Sequence, residues 1–167
     1  MTGSGKSTLA QEVSRATGLP LILVDELMWL PNWQEVALEE QRSIITPILE
    51  GDRWVLDTAY GKWCDLAFSR AELVVFLDYP RWLSFVRLLK RTFLRATLRT
   101  PCCNGNVESW KKALSRDSIL IWHVRSFSSK RRRMDALKNE QGAPCVLFHR
   151  SPRETAAWLM GLRDAGG

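Results

Sequence analysis

The run Gly3-Ser4-Gly5-Lys6-Ser7-Thr8, continuing into Leu9-Ala10, decides how this chain is read. Glycine at positions 3 and 5 leaves room for backbone N–H groups to close around phosphate oxygens. A helix predicted over Lys6 to Thr17 adds the positive end of its dipole. Lys6 is placed to reach the β- and γ-phosphates of a triphosphate, and the Ser7 hydroxyl to ligate Mg²⁺. The six residues Gly3, Ser4, Gly5, Lys6, Ser7 and Thr8 are therefore the expected ATP-binding loop. The full signature, G-x-x-x-x-G-K-[ST], follows a strand and opens a helix. Here its first glycine would fall one residue before Met1, and no strand precedes it. The expectation is a misplaced start site or a shortened chain, with an apolar strand ending in glycine encoded upstream and the first central strand of the sheet absent. A disordered Gly/Ser/Thr start before an ordinary helix is the bland alternative.

Downstream, Leu9, Ala10, Val13 and Ala16 follow helical spacing, Gly18 suits the C-terminal end and Pro20 blocks continuation. Leu21–Val24, Trp54–Leu56, Leu73–Leu77 and Cys145–Phe148 are short continuous apolar runs, the pattern of parallel strands covered on both faces. Three of them lead into an aspartate, Asp25, Asp57 or Asp78, where open α/β sheets place their ligands. Helical patterns separate the runs. Trp33 to Ile45 reads as a helix, with Asn32 as its cap and Pro47 disturbing its end. The alternation predicts an α/β fold, a parallel sheet with helices on both faces.

Arg81 to Arg99 reads as a strongly amphipathic helix. Trp82, Phe85, Val86, Leu89 and Phe93 share an arc of about 100°. Arg87, Arg91 and Arg95 lie opposite, where either solvated charge or phosphate contact is possible. Thr100 to Asn106 is expected to be a flexible loop within a short lid spanning about 99–117. A helix over Ser118 to Leu137 ends in the basic run Lys130-Arg131-Arg132-Arg133, read as a solvated helix end with a binding patch as its rival. Ser151, Pro152 and Glu154 spell the start of a closing helix running to Leu162.

Composition sets the limits. The chain has 167 residues, 46% hydrophobic and 25% charged, which suits a single folded domain over 1–167. No apolar run approaches the roughly 20 residues that span a bilayer, and no secretion signal is recognisable, so a cytoplasmic location is expected. Lys and Arg total 24 against 18 Asp and Glu, for a net charge of +6. That excess suits a polyanion, nucleotide or nucleic acid, without choosing between them. Cys64, Cys102, Cys103 and Cys145 include no CxxC pair, which argues against a structural zinc site, and vicinal Cys102 and Cys103 read as reduced loop residues.

The chain resembles the adenylate-kinase-like P-loop proteins of the DNA topology modulation family. The matching stretches are Gly-Ser-Gly-Lys-Ser-Thr-Leu-Ala at 3–10, Val-Asp-Glu-Leu-Met-Trp at 24–29, Trp-Val-Leu-Asp at 54–57 and Val-Phe-Leu-Asp-Tyr-Pro-Arg-Trp at 75–82. Asn104 to Trp110, leading to Trp122 and Arg125, extends the likeness along nearly the whole chain. The resemblance implies a P-loop NTPase fold with a five-stranded parallel sheet and a short lid. It also implies transfer of the γ-phosphoryl group of ATP to a small-molecule acceptor, a nucleotide or nucleoside among the candidates. It places Asp57 at the magnesium site with Ser7, Asp78 being its rival. It places Asp25 beside the acceptor, orienting it or taking its proton, and Arg91, Arg95 and Arg125 as clamps on the transferring phosphate. Two departures stand out: Thr58 and Ala59 follow Asp57 where the family has glycine and asparagine, and the family name describes a phenotype rather than a substrate. Trp29 and Trp33 could flank an acceptor ring. The alternative from another class is an ATP-binding, nucleic-acid-associated regulator without kinase activity, motivated by the basic run and the net charge.

Overall fold

The computed structural model describes residues 3–110, 119–138 and 144–166. It is a mixed α/β structure of short parallel and antiparallel strand pairs among helices. The chain enters α1 (Lys6–Thr17) directly from the glycine-rich loop. Gly3 and Gly5 have φ of 75° and 95°, in the left-handed region that favours glycine. Gly3 is further fixed by crowding: a Cβ there would lie 2.5 Å from the Ser84 carbonyl oxygen and 2.8 Å from Leu88 Cβ. Gly18 closes α1 as expected, at φ 69°, with its N–H donating to the Ser14 carbonyl.

Two parallel pairs carry the sheet structure. In one, β1 (Leu21–Ile22) pairs with β4 (Val55–Leu56); in the other, β5 (Leu73–Leu77) pairs with β8 (Cys145–His149). Among the described residues no ladder joins the two pairs. The continuous five-stranded sheet implied by the resemblance is therefore replaced by two separate pairs, because no described strand lies between them. Register shows which edges are left over. Val55 and Asp57 donate to Pro20 and Ile22, and Asp78 donates to His149. Because a parallel strand bonds to one neighbour through alternate residues, the backbone groups of Leu56, Leu73, Val75 and Leu77 point the other way, inward between the pairs.

Each pair has its own apolar cluster. Val24, Met28, Ile45, Leu49, Trp63 and Ala67 form one under β1 and β4. Leu9, Leu77 and Tyr79 form the other, with Val13, Val75, Leu83, Trp158 and Leu159 against them. Gln41, fully buried in the first, is satisfied on every side: Nε2 donates to Glu35 and to the Val36 carbonyl, and Oε1 accepts from Trp63 Nε1. A buried amide costs little when it is bonded in this way.

Several elements differ from the sequence expectation. The strand at Leu21 stops at Ile22, and Asp25 lies in the first turn of a short helix, α2 (Val24–Met28), rather than at a strand end. The helix expected from Trp33 begins later, as α3 (Leu38–Glu50), and continues through Pro47. Lacking an N–H, Pro47 cannot bond the Ser43 carbonyl four residues back. Asn32 is not a cap. Residues 29–35 instead make a tight hairpin, β2 (Trp29–Leu30) against β3 (Gln34–Glu35), around a 3₁₀ turn at Pro31–Trp33. Asn32 and Trp33 take φ of 63° and 59° at that turn, a strained conformation for tryptophan. The strain is offset from afar: the Trp33 N–H donates to Asn106 Oδ1 at 2.7 Å and its indole to the Val107 carbonyl.

The long helix α5 (Arg81–Leu98) is turned opposite to its amphipathic pattern. Its buried row is Ser84, Leu88, Thr92 and Ala96. Trp82 and Phe93, from the expected core arc, are 67% and 55% exposed. Two members of that row, Ser84 and Leu88, lie against Gly3 of the glycine-rich loop. Beyond it, the expected flexible loop at 100–106 is a hairpin, β6 (Pro101–Cys102) with β7 (Asn106–Val107). The remaining lid positions, 111–117, and Ser118 lie outside the described residues. The helix α6 (Ile119–Lys138) covers most of the expected span. The closing helix α7 (Pro152–Gly166) starts as its sequence predicts, with the Glu154 N–H donating to Ser151 Oγ and Glu154 Oε2 accepting from the Arg150 N–H. No helix among the described residues is long and apolar enough to cross a membrane.

Candidate active site

One cleft of about 1850 Å³ opens between the two strand pairs, roofed by α5 and α6. Gly3, Ser4, Gly5, Lys6, Ser7 and Thr8 all line it, as do Asp25, Asp57, Arg91, Arg95 and Arg125. Every sequence-nominated site residue therefore reaches one space, although the nominations come from five separate stretches of chain.

The tightest link is between Ser7 and Asp57. Ser7 Oγ donates to Asp57 Oδ2 at 2.6 Å across 50 residues of sequence. The other carboxylate oxygen accepts from the Val24 N–H at 3.0 Å, which fixes the carboxylate and ties the start of α2 to the end of β4. Lys6 lies alongside. Burial lowers the pKa of its ammonium group, while the nearby Asp25 and Asp57 charges raise it and Arg91 lowers it further. A hydroxyl and a carboxylate in contact are the hard-oxygen donors that suit Mg²⁺. Asp78, the rival carboxylate, pairs with Arg131 at 3.1 Å instead.

The part of the cleft around Asp25 is held by side chains. Tyr60 donates its hydroxyl proton to Asp25 Oδ1 at 2.6 Å and accepts from Trp29 Nε1 at 3.0 Å. Burial, reinforced by the Asp25 charge, pushes the Tyr60 phenol well above its ordinary pKa, so it stays a donor. Trp29 and Trp33 meet edge to face at 5.9 Å, and both line the cleft. Across from them, burial and then the Arg95 charge lower the pKa of the Arg91 guanidinium. Arg95 reaches Glu108 at 3.4 Å. Arg125 is exposed at the cleft wall. Arg87, also lining the cleft, lies over the Tyr79 ring and donates weakly to the Ser4 carbonyl. The arginine stripe of α5 thus faces the site rather than bulk solvent.

Sequence reasoning missed four residues. Lys130 was placed in a solvated basic run, yet it lines the cleft. Burial brings its ammonium down to about 8, with the Lys6 charge lowering it further and Asp25 opposing. Within that run the roles divide, since Arg131 pairs with Asp78 and Arg133 reaches Gly61. Tyr60 carried no motif, and Asn106 and Glu108 lay in the 104–110 stretch of the family likeness with no role assigned to them. Asn106 donates to the Leu30 and Cys103 carbonyls while accepting from Trp33, so it clips the 101–107 hairpin onto the 29–35 hairpin.

No family model, no curated protein and no solved structure matches this chain.

Proposed function

We propose that this chain is a P-loop-type kinase that transfers the γ-phosphoryl group of ATP to a hydroxyl of a small acceptor, a nucleotide or nucleoside among the candidates. The observation that carries the reading is the Ser7–Asp57 hydrogen bond beside buried Lys6, at the mouth of a glycine-rich loop that opens a helix. Phosphoryl transfer asks a protein chiefly for positioning and charge neutralisation. Loop N–H groups and the α1 N-terminus bind the phosphate oxygens, and Lys6 and Lys130 balance their charge. Ser7 and Asp57 would hold Mg²⁺, which supplies Lewis-acid charge neutralisation when bound. Asp25, kept in place by Tyr60, orients the acceptor hydroxyl and is positioned to take its proton. Arg91 sits between this acid and the loop, where it can accompany the phosphoryl group. The P-loop NTPase fold belongs to the same proposal, supported by the loop-to-helix junction and the parallel order of the strands.

A nucleic-acid-associated regulator is the rival reading; within the basic run Lys130 lines the cleft and Arg131 pairs with Asp78, while Arg131, Arg132 and Arg133 remain exposed. The test is an acceptor screen with γ-labelled ATP and Mg²⁺, with Lys6→Met as control. Label should move to one acceptor class and stay on ATP in the variant. Transfer to no nucleotide, nucleoside or small hydroxylated metabolite would reject the kinase reading.

A further inference from the structure

Helix α5 has a second face that the cleft does not use. Arg87, Arg91, Thr92 and Arg95 line the cleft, but Trp82, Val86, Leu89 and Phe93 do not. These four follow one another at spacings of four, three and four residues, so they form one stripe along the helix. All four are between 47% and 67% exposed. Trp110, also exposed, widens the stripe, its ring meeting Phe93 edge to face at 5.2 Å. Together the five side chains leave on the order of 600 Å² of apolar surface open, the upper end of what a soluble monomer shows in one patch and a mark of an interaction site.

The charge around the stripe says what covers it. No acidic residue occurs in α5, whereas Arg81, Arg87, Lys90, Arg91 and Arg95 are basic and Arg99 follows directly. Lys90 stands one turn beyond Val86 at the margin of the stripe, and Arg81 and Arg99 bracket its ends, all three exposed. Among the described residues neither Lys90 nor Arg99 has an ion-pair partner. A second copy of this chain would set these basic groups against their own kind. A single convex helix also offers a protein partner no groove to fill. An anionic bilayer needs neither a groove nor a matching shape. It takes up aromatic and aliphatic side chains at headgroup depth and attracts the basic groups beside them, and tryptophan favours that interface.

We propose that the Trp82–Phe93 face of α5, with Trp110, docks the protein on a membrane surface rich in anionic lipid, the helix lying along the headgroups rather than crossing them. The inference goes beyond the kinase reading and does not depend on it, because the docking stripe and the cleft-lining residues of α5 are different side chains.

The test is flotation of the full chain with vesicles of phosphatidylcholine alone and of phosphatidylcholine with about one-third phosphatidylserine. Binding to the anionic vesicles should be at least about tenfold stronger, and should fall several-fold at about 0.5 M salt. The double substitution Trp82→Ser with Phe93→Ser should lower it at least about tenfold through the lost apolar contact, with circular dichroism and the urea midpoint unchanged. Lys90→Glu, a single change at an exposed position, should weaken binding to the anionic vesicles about threefold or more and leave the phosphatidylcholine value unmoved. The inference is overturned if neither vesicle binds, if anionic lipid makes no difference, or if both variants bind as the wild type does. Self-association through this face, read by sedimentation velocity, or capture of an acidic amphipathic helical peptide, in either case without vesicle binding, would also overturn it. Since the assay contains no ATP, its failure says nothing against phosphoryl transfer, and failed transfer says nothing against docking.

Discussion

The glycine-rich end of the cleft and its Asp25 end are built on different principles. The first is six consecutive residues, fixed by glycine conformation and by the approach of Gly3 to Ser84. The second is assembled from side chains distant in sequence. Tyr60 holds Asp25 across 35 residues, and Asn106 holds Trp33 across 73. A backbone site tolerates no change of conformation but leaves the ligand's identity generic, since every phosphate looks alike to an N–H group. A side-chain site is where selectivity can be tuned one residue at a time.

That contrast can be broken from its strongest point. Lys6→Met should reduce ATP affinity and phosphoryl transfer by about 100- to 1000-fold, the effect of removing one preorganised charge from a phosphate site. Isothermal titration and the labelled-ATP assay read it, and unchanged binding would mean that the loop does not hold the triphosphate. Asp57→Asn should leave the Val24 bond in place but raise the Mg²⁺ concentration needed for half-maximal transfer by roughly tenfold or more, measured by metal titration. Tyr60→Phe sharpens the comparison. It should weaken the acceptor by roughly tenfold, the worth of one hydrogen bond to a charged group, with the ATP constant unmoved; a parallel loss of ATP affinity would erase the division between the two ends. Asn106→Ala should lower unfolding stability by about 1–3 kcal/mol through the unpaired groups it leaves, read in a urea titration.

The smallest effect lies away from both ends. Burial lowers the pKa of His149, whose Nδ1 faces Thr155 Oγ1 at 3.2 Å and whose ring meets Trp158. The neutral form is favoured in the folded state, so the unfolded chain takes up a proton first on acidification. Its contribution to stability is complete above the unfolded pKa of about 6.5 and fades as pH falls toward the lower folded value. The urea midpoint should fall slightly between pH 7.5 and 5.5, and His149→Gln should flatten that slope.

The same contrast explains what the sequence could reveal. The loop, α1 with its Gly18 end, β5, β8 and the Ser151–Glu154 start of α7 were legible because each depends on neighbours a few residues away. Ser7, Asp57 and Asp25 were nominated and do meet in one cleft, although Asp25 arrives on a helix rather than at a strand end. What the sequence concealed needs partners from elsewhere. Trp33 adopts a conformation that local propensity forbids, because Asn106 supports it. The rotation of α5 defeated the amphipathic pattern, since the row Ser84, Leu88, Thr92 and Ala96 is buried, two of its members against Gly3, in place of the bulky arc. Lys130 and its neighbours formed a charge run that looked uniform, and only the packing of α6 divides it between the cleft and Asp78. Tyr60 stood in no motif, and Glu108 lay in a quoted stretch that assigned it no role.

The inward-facing edges of β4 and β5 have a consequence for how the molecule holds together. Two apolar clusters lie on either side of a wide opening that no strand ladder crosses among the described residues, so cohesion between the halves depends on α1, on the Asn106 clip between the two hairpins and on whatever occupies the opening. A triphosphate held at Lys6 and Ser7 and reaching toward Arg91 on α5 would act as a rivet. Melting temperature should then climb with nucleotide concentration in the manner of linked equilibria, and a broad or two-stage melt of the bare protein should sharpen into one transition once the rivet is in place.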